Sequence, residues 1–254
     1  MAVYRKPRFI ARKAETATDL QAAQALRYKT FVAGRGTAGD SARAMGLDAD
    51  EFDAVCQHML VEDARSGRLV CCFRFLPLSG GAEIGRSYSA KYYDLGGLAG
   101  FDGPMLEMGR FCVDPEARDP DILRTAWAAM TAYVDRHGVE LLFGCSSFYG
   151  TEADRYDDAF ALLAERHIAP KRWLPRVKAP KVFRFASRLT LRKPDLKLAM
   201  KRMPPLLRTY LTMGGWVSDH AVIDNDLNTL HVFTGVEIRA VPKRRAQRLR
   251  MLAT

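Results

Sequence analysis

Apolar positions recur along the chain at two spacings, near every second residue or near every third or fourth, and the two spacings alternate in blocks. Arg8 to Thr16 alternates loosely, as a strand does. Behind it Leu20, Ala23, Leu26 and Thr30 or Phe31 recur at helical spacing, with Thr18 or Asp19 as the cap. Gly34 to Asp53 is polar, Gly-rich and acidic and reads as a loop. His58 to Glu62 and Arg68 to Leu76 are β-rich runs joined by Ala-Arg-Ser-Gly, which predicts a hairpin. After a Gly-rich connection, Asp94 to Gly103, the run Met105 to Val113 reads as a further strand. Asp119-Pro120 starts a helix that runs to His137 and stops at Gly138. Val139 to Phe148 is a buried strand, followed by a helix from about Glu152 to His167. Strands at Lys181 to Leu189 and Leu230 to Ile238 flank a helix opened by Pro204-Pro205 and stopped by Gly214-Gly215, and Lys243 to Arg250 reads as a frayed cationic tail. This order predicts an α+β protein without internal repeats.

Composition places the 254 residues among folded proteins, with 48% hydrophobic and 27% charged residues. No apolar run approaches the roughly 18 to 20 residues needed to span a bilayer. Met1 to Lys13 lacks the apolar block of a signal peptide, so a cytosolic location is expected. The five cysteines (Cys56, Cys71, Cys72, Cys112 and Cys145) are odd in number, have no C-x-x-C spacing and read as reduced core residues.

Charge changes the picture more. Residues 1 to 164 hold 19 basic and 23 acidic side chains, and residues 165 to 254 hold 20 and 6. Between Arg166 and Arg208 the ratio is 14 to 1, a field that attracts an anionic partner. Nucleic acid is the poorer fit, because that stretch has few aromatic residues for base stacking.

Several motifs dissolve on inspection. Gly34-Arg-Gly-Thr-Ala-Gly39 has the letters of a dinucleotide loop, but it follows a helix rather than a strand. His220-Ala-Val-Ile-Asp224-Asn225 is one residue short of the glycerolipid-type His-based acyltransferase signature and has Asn225 where the condensation-type signature ends in Gly. The other histidines (His58, His137, His167 and His231) are scattered without metal-ligand spacing, and no metal site is expected. Ser146-Ser147, at the end of a buried strand, is expected to cap the next turn.

Charged residues stand where an apolar helix or core strand should not need them: Arg27, Asp48, Asp50, Asp53, Arg74, Glu107 and Arg110, with Phe31 beside them on the first helix. Buried charges must pair or face a cleft, and together these point to a site. The order of these residues resembles acyl-homoserine-lactone synthases. Leu26-Arg-Tyr-Lys-Thr-Phe31, Glu107-Met-Gly-Arg-Phe-Cys-Val-Asp-Pro115, Pro204-Pro-Leu-Leu-Arg-Thr-Tyr-Leu211 and Asp224-x-Asp226-x-Asn228-Thr229 resemble more closely the ornithine-acyl carrier protein N-acyltransferases of ornithine-lipid biosynthesis. The resemblance covers about residues 8 to 240.

It implies a GNAT-type fold, a mixed, mostly antiparallel central sheet flanked by helices, over residues 1 to 190, with a basic extension over 191 to 254. It also implies transfer of a 3-hydroxyacyl chain from acyl carrier protein to the α-amine of L-ornithine, giving lyso-ornithine lipid. No cofactor is expected, since phosphopantetheine arrives on the carrier. Coenzyme A users of this class cradle the pyrophosphate in a Gly-rich turn at a helix start, whereas Asp114-Pro-Glu-Ala-Arg-Asp-Pro-Asp121 has no glycine and four acids. Glu107 is the candidate general base. Both it and Arg110 can face one cleft only if Met108-Gly109 bulges. Arg27, Phe31, Asp48, Asp50, Asp53, Arg74 and Arg110 are the candidate ornithine site. Arg74 or Arg110 would take the carboxylate, and Asp48, Asp50 or Asp53 the side-chain ammonium. Phe111, Val113, Ser147 and Tyr149 are expected against the thioester and acyl chain. Lys171, Arg172, Arg176, Lys178 and Lys181 are expected to dock the carrier. The helix-like run Asp195 to Met213, mixing Leu, Met and Tyr with Lys and Arg, is a candidate contact for an anionic membrane. The alternative activity is acyl-homoserine-lactone synthesis from S-adenosylmethionine, although this chain lacks a tryptophan just after the first helix, its three being Trp127, Trp173 and Trp216.

Overall fold

The computed structural model describes residues 7–33 and 45–253, so the Gly34 to Gly39 motif lies outside the described residues. In chain order the strands are β1 (Phe9–Lys13), β2 (Gln57–Asp63), β3 (Leu69–Leu78), β4 (Tyr93–Asp94), β5 (Met105–Val113), β6 (Leu141–Tyr149), β7 (Arg176–Val177), β8 (Val182–Phe183), β9 (Trp216–Val217), β10 (Ala221–Asp224) and β11 (Thr229–Glu237). The helices are α1 (Ala17–Phe31), α2 (Ser89–Tyr92), α3 (Pro120–Arg136), α4 (Asp157–Arg166), α5 (Phe185–Arg188), α6 (Leu196–Arg202), α7 (Pro205–Thr212) and α8 (Lys243–Ala253). The α+β class and the mostly antiparallel central sheet are borne out.

The chain forms two compact units that interleave along the sequence. The first takes the chain up to Leu76, Met108–His137 and the stretch from Ala246; the second takes Pro77–Glu107 and Gly138–Arg245. In the first unit β1 pairs antiparallel with β2 and β2 with β3, as the hairpin pattern predicted. Helix α1 sets Ala23 and Leu26 against Leu60, Cys72 and Cys112. It starts at Ala17 rather than behind Asp19, because Thr16 accepts from Asp19 N while the Asp19 carboxylate accepts from Thr16 N, a reciprocal capping box. Asp119 caps α3, as expected, by accepting from Asp121 N at 2.9 Å.

In the second unit β5 runs parallel to β6 for three residue pairs only, Met105 with Leu141 through Glu107 with Phe143. Strand β6 then pairs antiparallel with β11 along its whole length, and β10 and β8 follow outward. Phe148, Phe160, Phe185, Leu207, Leu230 and Val232 lead its core. Three expectations for this part are corrected. Lys181 to Leu189 is not one strand: β8 is two residues long, and Phe185, fully buried, turns the chain into the short α5. Asp195 to Met213 is not one helix, because Pro204 ends α6 and opens α7. Lys243 to Arg250 is not a frayed tail but part of α8, whose Arg250 forks onto Asp135 at 2.8 and 2.9 Å. All five cysteines are free thiols, with Cys71, Cys72 and Cys112 buried.

Candidate active site

Six of the charged residues singled out in the sequence meet in the first unit and close a ring. Arg27, on the buried side of α1, forks onto Asp53 at 2.8 and 2.7 Å and reaches Asp48 Oδ2 at 3.2 Å. Arg74, in mid β3, forks onto Asp50 at 2.6 and 2.8 Å and also donates to Asp53 Oδ1 at 2.7 Å. Arg110, on β5, donates to Asp48 Oδ2 at 3.0 Å and to Asp50 Oδ2 at 3.1 Å. Each guanidinium thus bridges two carboxylates and each carboxylate two guanidiniums, with three charges of each sign.

Local structure sets this up. Asp50 and Asp53 make the capping box of the single turn Glu51–Ala54, which fixes both carboxylates. Asp48 N donates to Gln24 O at 3.1 Å and ties the incoming segment to α1. Burial pushes the Asp53 carboxyl up, but the Arg27 fork, the Arg27 charge, Gln24 and the Arg74 charge outweigh it and hold the group well below its ordinary value. Asp50 is lowered likewise: burial opposes, and Arg74, then Arg110, prevail. Ring members are not equally covered. The side chains of Arg27, Asp53 and Arg74 are 1, 6 and 4% exposed, whereas those of Asp48, Arg110 and Asp50 are 10, 12 and 16%. The ring therefore has a sealed edge and a more open one.

Sequence reasoning missed three supports. Gln24 Nε2 donates to Asp53 Oδ2 at 2.9 Å, His58 Nε2 sits 3.1 Å from the Asp53 carbonyl oxygen, and the Phe52 ring lies under the Arg74 guanidinium at 5.6 Å. Gln24, one turn before Arg27 on α1, was the readable signal. Phe31 packs on the α1 core cluster. Phe111 stacks on Phe73 at 5.4 Å and Val113 ends β5 half-buried.

An irregularity in β5 falls at Arg110, next to Met108-Gly109, and the pairing with β6 stops just before them at Glu107. Arg110 has φ of +52°, a left-handed conformation that costs a non-glycine residue roughly 1–2 kcal/mol. Its two charged partners offset that strain.

In the second unit Glu107 is 5% exposed. Its carboxylate accepts from Tyr88 N at 2.8 Å, Ser89 N at 2.7 Å and Ser89 Oγ at 2.6 Å, and Ser89 Oγ lies 3.5 Å from Cys145 Sγ on β6. The segment carrying Tyr88 and Ser89 was not foreseen, because its turns are too short for a period to show.

Register places Ser147 opposite His231 and Tyr149 opposite Thr229, so these four share one face of the β6–β11 pair. Ser147 and Tyr149 are exposed, whereas Thr229 and His231 are buried. Tyr93 donates its hydroxyl proton to the His231 carbonyl oxygen at 2.7 Å, so its oxygen accepts from His231 Nδ1–H at 3.2 Å. Nε2 is left as a bare acceptor, and it and Thr229 Oγ1 have no partner among the described residues. Burial, then His220, pushes the His231 imidazole down to about 3, so it stays neutral. His220 Nδ1 meets Asp219 at 2.6 Å, and Asp224 caps the β10–β11 turn through Asp226 N and Leu227 N, so the two are not a catalytic pair. Ser146 is not a turn cap; it accepts from Thr234 across the sheet at 2.9 Å.

Lys171, Arg172, Arg176, Lys178 and Lys181 are all exposed. Arg172 stacks on Trp173, Arg176 pairs with Asp94 and Lys178 donates to the Ala90 carbonyl, so each keeps a fixed stem. The turn before α3 is filled by its own acids: Asp114 accepts from Lys29, Arg68 and Glu116 N, and Asp119 occupies the helix start. Burial raises Asp114, but Arg68, Glu116 N and Lys29 bring it down to about 2. Among the described residues no cluster of His, Cys, Asp or Glu suits a metal ion.

This architecture is that of a GNAT-type acyltransferase, and residues 26–128 match the acetyltransferase (GNAT) domain family. The CoA-dependent acyl-homoserine lactone synthase BjaI shares the fold, with a TM-score of 0.50 at 12% identity over 95% of this chain and 86% of that one. The chain is 34% identical over 239 residues to the L-ornithine N(alpha)-acyltransferase of Rhodobacter capsulatus, spanning 92% of this chain and 91% of that protein. To the enzyme of the same name from Brucella abortus it is 31% identical over 242 residues, 92% of this chain and 85% of that one. The chain belongs to the L-ornithine N(alpha)-acyltransferase family.

Proposed function

We propose that this enzyme acylates the α-amine of L-ornithine with a 3-hydroxyacyl chain borne on acyl carrier protein, giving lyso-ornithine lipid. The observation that carries the reading is its membership of a family named for that acceptor, over nearly the full length of both chains. The ring adds chemical support. Ornithine is itself a carboxylate with ammonium groups, and the more open edge offers it Asp48, Arg110 and Asp50 in alternating sign, while Arg27, Asp53 and Arg74 hold that edge and Phe31 seats the helix behind it.

The amine must lose a proton before it attacks the thioester. Glu107 takes that proton through one water, its carboxylate aimed by Tyr88 and Ser89. A backbone N–H of β6 beyond the last pair with β5 faces the developing oxyanion. The acyl chain runs past Ser147 and Tyr149, and its hydroxyl donates to His231 Nε2, an acceptor without a partner among the described residues. With the α3 start occupied by Asp119, the donor is held by protein contacts at Lys171, Arg172, Arg176, Lys178 and Lys181 rather than by a nucleotide cradle.

Incubating the purified protein with acyl carrier protein thioesters and a panel of amino acids, followed by product mass, tests this directly. The expected product is the ornithine amide; acylation of another amino acid in preference would refute the acceptor. Glu107→Gln is expected to lower turnover by about 10² to 10⁴ with the fold kept, and near-normal turnover would remove the base assignment.

A further inference from the structure

The outward side of α6 carries apolar side chains at positions that face water. Ala199, at 0% exposure, and Met203 just past the helix end, at 1%, anchor it in the core of the second unit. Leu196 and Met200, four residues apart and hence on one side, are 47 and 42% exposed, and Leu191 in the preceding loop is 98% exposed. From Arg184 to Arg202 there are seven cations and one acid, Asp195, which is spent capping α6. Arg192 is held by Asp157 and Asp158, and Arg202 by the Arg155 carbonyl oxygen. Lys193, Lys197 and Lys201 are exposed and form no ion pair among the described residues. Helix α7, which was expected to share this surface, instead buries Leu207 and Tyr210.

We propose that Leu191, Leu196 and Met200, with Lys193, Lys197 and Lys201 around them, dock this protein on an anionic lipid bilayer. Three apolar side chains would enter the boundary between headgroups and acyl chains while the ammonium groups meet lipid phosphates. An acidic protein partner would be satisfied by the cations alone. It gives no reason for a leucine with nearly all its surface in water, and a bilayer does. This docking is independent of which amine the enzyme acylates, because it is read without turnover.

The test is flotation of the full chain with vesicles of phosphatidylcholine mixed with phosphatidylglycerol, against phosphatidylcholine alone. Two triple variants accompany it, Leu191→Ser/Leu196→Ser/Met200→Ser and Lys193→Glu/Lys197→Glu/Lys201→Glu, with thermal unfolding checked for each. The wild type should float with the anionic vesicles only, and each variant should lose about tenfold in bound fraction. The serine variant should keep the initial rate on soluble substrates. A wild type that stays at the bottom of the gradient overturns the proposal, and so does a serine variant that floats as well as the wild type. If the charge-reversed variant still floats but needs more acyl carrier protein to reach half-maximal rate, the face docks the carrier and the membrane assignment falls.

Discussion

Asp53 accepts from Arg27, Arg74 and Gln24 while almost out of contact with solvent. Removing Arg27 would take one of two guanidiniums from each of two buried carboxylates, because Asp48 also leans on it. Arg27→Ala is therefore expected to cost about 3–5 kcal/mol, measured as a lowered urea midpoint; a loss below about 1 kcal/mol would mean the ring is held from elsewhere. The charges themselves were legible in the sequence, since an arginine inside Val70-Cys-Cys-Phe-Arg-Phe-Leu76 has no place in a core strand without a partner. Their mutual pairing was not. The partners lie 21 to 62 residues apart, too far for any local spacing to show that Asp48, Asp50 and Asp53 are each met by two of the three arginines.

Elements with a strong period were read closely. Strand β5 spans Met105–Val113 as expected, and α3 follows its Asp119 cap. Short elements set by tertiary contacts escaped. The turn Gly81–Arg86 leads into α2 and so carries the donors to Glu107. It lies so close to the turn Gly96–Leu98 that a Cβ on Gly81 would fall 2.0 Å from the Leu98 carbonyl oxygen and 2.7 Å from that of Ala99. Gly81→Ala is accordingly expected to destabilise by about 1–3 kcal/mol or more and to depress acyl transfer with it. At Gly109 the nearest atom to an added Cβ, Arg74 Nε, is 3.8 Å away, and Gly109→Ala should leave the melting temperature near that of the wild type. Differential scanning calorimetry of the two variants distinguishes them; equal melting temperatures would contradict the crowding at Gly81.

Across the whole molecule the shifted groups fix how stability depends on pH. His58, His167 and His231 are lowered, chiefly by burial, so below their unfolded value of about 6.5 the unfolded chain binds more protons and stability falls as pH falls. Asp50, Asp53 and Asp114 are also lowered, so their contribution is complete above the unfolded value of about 4 and is lost as pH drops below it, toward about 2 for Asp114. The urea midpoint should be level above about pH 7, decline gently below about 6.5 and fall steeply under about 4; a midpoint that holds or rises on acidification would contradict these burials. The uneven charge of the two halves of the chain was visible from composition, whereas the division into units was not, because it cuts through β3 and β5 instead of following any shift in residue type.

That division bears on how the protein is made. The second unit begins at Pro77, is interrupted by Met108–His137, which belongs to the first, and resumes at Gly138. During synthesis the first unit cannot gather its middle portion until His137 has left the ribosome, and the second lacks its last portion until Arg245 has. Neither unit is complete until Arg245 and the stretch from Ala246 have emerged, and no single contiguous fragment would reproduce either unit.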